Sequence, residues 1–182
     1  MTYVALLRGV NVGGNKMLAM ADLRDALTKI GFSSVTTVLQ SGNVVFDAAV
    51  TTPATMEALL EKEIDKRLGL KADFHVRTAA DWHAIVKGNP FAVEAKKDPS
   101  HLLVSFFKAP LDQTRVKALR SAITGPERLI ADGRHLYMTF PAGMGNSKAA
   151  RLVDKLLTAR GTARNWNTVM KLALLIGRGT RA

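Results

Sequence analysis

Short β-rich runs alternate with segments of helical period, and that order constrains the fold of this chain more than any single motif. Residues 3–7 form a compact apolar run, read as a strand. Across 20–30, Leu23, Ala26, Leu27 and Ile30 fall on one face at helical spacing, and Gly31 closes the helix. Two further β-rich runs, 35–39 and 44–46, flank Gln40-Ser41-Gly42-Asn43 as a hairpin would. Pro53 then opens a second helix, in which Met56, Leu59, Leu60, Glu63, Ile64 and Leu68 trace one face up to Gly69. Residues 73–77 alternate polar and apolar as a fourth strand. The order βαββαβ predicts a ferredoxin-like module over residues 1–77.

Residues 78–182 predict a second mixed α+β module, so the fold class is α+β throughout. A short helix over 81–87 is closed by Gly88-Asn89-Pro90. A strongly apolar strand over 102–107 leads to a helix over 112–123, with Val116, Leu119 and Ile123 on its inner side. Asp132-Gly133-Arg134 is a turn signal between strands at 127–131 and 135–140. Two closing helices are expected at 149–159 and 164–176, separated by Gly161. In the last of them Trp166, Met170 and Ala173 read as the inward side. The boundary between the modules is expected between Arg77 and Pro99. The order of elements partly repeats, although no sequence repeat joins the halves.

Three polar segments interrupt this pattern. The loop from Arg8 to Lys16 holds Gly9, Gly13 and Gly14, whose backbone N–H groups could approach an anion. It lacks the spacing of a P-loop or a dinucleotide fingerprint. The second segment, Gln40 to Asn43, is a turn rich in donors and acceptors. The third is split between Gly143 to Lys148, where Asn146 or Ser147 is a natural N-cap, and Arg164-Asn165-Trp166-Asn167-Thr168. If they converge, Arg8, Asn11, Gly13, Gly14, Gln40, Ser41, Asn43, Asn165 and Asn167 would orient a small anionic ligand. His75 or His135 would then be the nearest candidate bases, and an enzyme is one reading of such a pocket. The four histidines stand alone in sequence, and no metal-ligand spacing, serine elbow or paired-carboxylate motif is present. Neither a cofactor nor a metal is expected.

Charge separates the halves. Residues 1–77 carry nine Lys/Arg against eight Asp/Glu, a net +1, and residues 78–182 carry seventeen against seven, a net +10. Residues 148–182 hold eight of those cations and one acid, Asp154. Lys148, Arg151, Lys155, Arg160, Arg164 and Lys171, with Arg178 and Arg181, are therefore candidates for anion binding. Nucleic acid is the expected partner of a non-catalytic binding module. The two closing helices make a weak helix-turn-helix, since the second is strongly apolar. The chain has no cysteine, which removes disulfides, thiolate zinc sites and a cysteine nucleophile. Its first residues read as a strand rather than a signal peptide. No apolar run reaches membrane-spanning length, and a cytoplasmic location is expected.

The strings YVALLRGVNVGGNK, MADLRDALTKIGF, VLQSGNVVF and ARNWNTVMKL together resemble the bacterial family known as domain of unknown function 1697. The resemblance implies an α+β fold with ferredoxin-like character. It marks Arg8 to Lys16, Gln40 to Asn43 and Arg164 to Thr168 as characteristic without giving any of them a role.

Overall fold

The computed structural model describes residues 1–11, 17–145 and 147–179, with the side chains of residues 178 and 179 excepted. The chain runs β1 (Thr2–Leu7), α1 (Met20–Lys29), β2 (Ser33–Val38), β3 (Asn43–Asp47), α2 (Pro53–Leu68), β4 (Phe74–Thr78), α3 (Ala79–Lys87) and α4 (Ala92–Lys97). It continues through β5 (Leu102–Phe107), α5 (Gln113–Ala122), β6 (Arg128–Asp132), β7 (His135–Thr139), α6 (Lys148–Leu157), β8 (Gly161–Asn165) and α7 (Trp166–Gly179). Two antiparallel four-stranded sheets result, with orders β2-β3-β1-β4 and β6-β7-β5-β8.

The first unit comprises residues 1–87 together with the chain from Lys171 onward. Alternation along its strands sends Tyr3, Ala5, Leu7, Phe46, Phe74 and Val76 against Leu23 and Leu27 of α1 and Met56, Leu60 and Ile64 of α2. On the other side of the sheet Val4, Leu6, Val45, His75 and Arg77 are buried too. The expected module ended at Arg77, but the unit continues through α3 because that side also needs cover. Helix α3 packs on β1 and β4, burying Trp82 and Ile85, and Leu175 of α7 lies beside Thr36 and Val45.

Edge strand β4 is closed by carboxylates. Its outward N–H groups recur at every second residue. Phe74 N donates to Glu61 Oε1 at 2.9 Å, Val76 N to Glu57 Oε1 at 2.8 Å and Thr78 N to Asp81 Oδ2 at 3.0 Å. Glu57 and Glu61 are one helical turn apart on α2, so both reach the same edge. A row of unpaired amides is thereby kept from pairing with another chain. Glu57 is buried for this reason, whereas Leu59 of the expected inner face is partly exposed.

The second unit, residues 88–170, repeats the topology of the first. Register repeats as well. Val4 lies opposite Arg77 in the β1–β4 ladder, and Val104 opposite Arg164 in the β5–β8 ladder. Leu7 N donates to Gly42 O in the first hairpin, and Phe107 N to Arg134 O in the second. The second unit is thus a full βαββαβ module. Residues 161–165 were expected to separate or begin helices, and they form strand β8 instead. Ladder bonds to β5 decide that segment, and such long-range pairing leaves little trace in a five-residue string. Helix α4 was also unforeseen, because none of its six residues is buried and it carries no apolar period.

Candidate functional site

The first two polar segments meet at one end of the first sheet. Antiparallel pairing sets Leu6 opposite Asn43, so the exit of β1 and the β2–β3 hairpin share that end. Asn11, with φ of 54°, uses its amide as a clamp. Its Nδ2 donates to Leu18 O at 2.8 Å and to Gln40 O at 2.7 Å, and its Oδ1 accepts from Leu18 N at 2.8 Å. Asn43 is fully buried, and its Nδ2 donates to Val38 O and to Ser41 Oγ. Gly42, at φ of 70°, sits so close that an added Cβ would fall 2.7 Å from Val10 and 2.8 Å from Leu7. Arg8 N donates to Asp73 O, and the Gln40 side chain is exposed. Most of the amide capacity here is used inside each loop, and one bond, Asn11 Nδ2 to Gln40 O, ties the two together. Gly13 and Gly14 lie outside the described residues.

The third segment belongs to the second unit. Asn165 Oδ1 accepts from Thr168 N at 3.0 Å and from Thr168 Oγ1 at 2.9 Å, which caps α7. Asn167 is exposed on that helix, and the buried stripe is Trp166, Val169, Leu172 and Ile176 rather than Trp166, Met170 and Ala173. Ser147 caps α6 by accepting from Ala149 N. Asn146, its alternative, lies outside the described residues. Each candidate base is placed on a strand. His75 is fully buried opposite Leu6, and the ring of His135 meets Phe106 edge-on in the second unit.

The cationic candidates divide. Arg164 is buried in β8, where Nη1 donates to Thr162 Oγ1 at 2.7 Å and Ala163 O at 2.8 Å. Burial pushes its guanidinium down to about 10, still charged at neutral pH. Its counterpart Arg77 donates in the same way to Val76 O. Arg160 is exposed after α6, and Lys171 is exposed on the part of α7 that belongs to the first unit. Arg181 and the Arg178 side chain lie outside the described residues.

Lys148, Arg151 and Lys155 remain as one exposed stripe along α6, at spacings of three and four. Helix α5 lies beside α6, and Arg115 Nη1 reaches Leu156 O at 3.3 Å. That juxtaposition adds Arg115, which the charge count alone did not single out; Lys117 and Arg120 are exposed on α5 as well, but on the other flank of its buried stripe. Among the described residues Lys117, Arg120, Lys148, Arg151 and Lys155 have no ion-pair partner. No group of three or more His, Asp or Glu gathers as a metal ion needs, again among the described residues. No helix described is long and apolar enough to cross a membrane.

Residues 1–137 match the family described as proteins of unknown function (DUF1697). The chain belongs to that family. The DUF1697 match spans the first module and the second as far as β7, so α6 and its cations lie beyond it. Among solved structures, a conserved bacterial protein from Streptococcus pneumoniae is similar, at 23% identity and a TM-score of 0.70. The alignment covers 96% of this chain and 98% of that one. At that identity the likeness extends to the fold. No curated protein matches the chain.

Proposed function

We propose that this DUF1697 protein is a non-catalytic binding module of the cytoplasm, docking nucleic acid on the α5–α6 face of its second unit. The observation that carries the reading is the exposed stripe of Lys148, Arg151 and Lys155 on α6, with Arg115 of the neighbouring α5 beside it. Two neighbouring helices hold six cations, with one acid, Asp154, within their span. Long side chains with free ammonium and guanidinium heads neutralise a phosphate backbone and release its counterions. Such groups position a strand without reading its sequence. The small-ligand reading is weaker, because Asn11, Asn43 and Asn165 already bond to their own loops and helix.

The test is a titration of labelled oligonucleotides at several salt concentrations. Changing Lys148, Arg151 and Lys155 together to alanine should lower the slope of log affinity against log salt by roughly three, about one for each phosphate no longer neutralised. A control triple change of Lys29, Lys62 and Lys66, exposed in the first unit, alters net charge equally and should leave most of the slope. Absence of binding at low salt, or equal effects of the two triple variants, would remove the proposal.

A further inference from the structure

We infer that the cleft beside the start of α6 receives one unpaired nucleotide, so that the nucleic acid docked on the α5–α6 face is single-stranded. This rests on the docking face proposed above and names its substrate class. The cleft encloses about 540 Å³ within the second unit, between the end of α5, the chain leading to β6, the chain leaving β7, and the first turn of α6. A volume of that order accommodates a small ligand of nucleotide size. Its lining has three chemistries. Ile123, Pro126 and Leu152 supply apolar wall. Lys148 and Arg151, two of the cations of the docking face, also line it. Glu127 supplies a carboxylate.

That carboxylate is set in place. Ser147, a buried residue, donates through its hydroxyl to Glu127 Oε1. Glu127 Oε2 lies over Gly125, where an added Cβ would collide with it. One oxygen is thus held by the protein, and the other accepts no hydrogen bond among the described residues.

A nucleotide presents the complementary set. Its base has two apolar faces for the walls, its exocyclic amino group is a donor for Glu127 Oε2, and its phosphate suits Lys148 and Arg151. In a duplex the amino group is already paired and the base is stacked, so entry requires an unpaired strand. Adenine, cytosine and guanine carry that amino group, whereas thymine and uracil do not. Among the described residues no aromatic side chain lines the cleft, so the base lies between aliphatic walls rather than on a stacking platform.

The experiment measures fluorescence anisotropy of labelled oligo-dC, oligo-dT, their RNA equivalents and a mixed-sequence duplex at low salt. Single strands should bind at least tenfold more tightly than the duplex, and oligo-C about tenfold more tightly than oligo-T or oligo-U. The DNA and RNA arms show which sugar the cleft admits. Glu127→Gln replaces an obligate acceptor with a group that also donates, and should erase the preference for C over T. Gly125→Ala should do the same by displacing the carboxylate. Thermal unfolding checks each variant, and Glu127→Gln decides the matter should Gly125→Ala fail to fold. Equal binding of duplex and single strand, still weakened by the α6 triple change, would overturn the cleft and leave the docking face. A C-over-T preference that survives Glu127→Gln would also overturn it. Absence of all binding at low salt would overturn both.

Discussion

Buried charge is where single residues of this protein matter most. Arg77 is fully buried, and its Nη1 lies 3.9 Å from Glu57 Oε1, which also accepts from Val76 N. Glu57→Ala removes a carboxylate beside a buried cation and an acceptor from a buried amide at once. Removing one member of such a buried pair typically costs about 3 kcal/mol or more. Urea denaturation should show that loss for Glu57→Ala and a smaller one for Glu57→Gln, which keeps an oxygen for Val76. In sequence, Glu57 and Glu61 look like an ordinary solvated helix face. Only the passage of β4 alongside α2 turns them toward backbone amides.

Among the elements, the loops at the end of the first sheet depend on one amide. Asn11 makes three hydrogen bonds, two that close its own loop onto Leu18 and one that ties that loop to the β2–β3 hairpin at Gln40 O. It also holds a left-handed backbone, which asparagine tolerates better than most residues. Asn11→Ala should therefore destabilise the region by about 2 kcal/mol, from missing hydrogen bonds and backbone strain together. Amide hydrogen exchange would detect it first at Leu18, whose N–H loses its acceptor, while α5 and α6 keep their protection. The two segments were legible as unusual from their glycine and amide content. Their meeting was not, because it follows from antiparallel pairing of β1 with β3.

For the whole molecule, the chain makes two modules of one topology and then returns to the first. Leu172 and Ile176 are fully buried in the stretch of α7 that belongs to the first unit. Ile176→Ala should lower stability by about 3 kcal/mol. The loss should appear as faster exchange in β1, β3 and β4 rather than in β5 and β7. A module of residues 1–77 alone would lack both α3 and this stretch, and the second side of its sheet would lie open.

The βαββαβ order of the first module, most helix limits, Pro53 at the start of α2, the Ser147 cap and the Asp-Gly hairpin were within reach of the sequence, because each depends on neighbours a few residues apart. The excess of positive charge in the second half was equally plain. Tertiary structure alone decided which cations share a face. Arg164, counted among the candidates, pairs opposite Val104 and turns inward, while Arg115, more than thirty residues before α6, comes to lie against its end. Strand β8 and the carboxylate row on β4 belong to the same class. Each is settled by pairing between segments distant in the chain, and the local period of apolar residues carries no record of it.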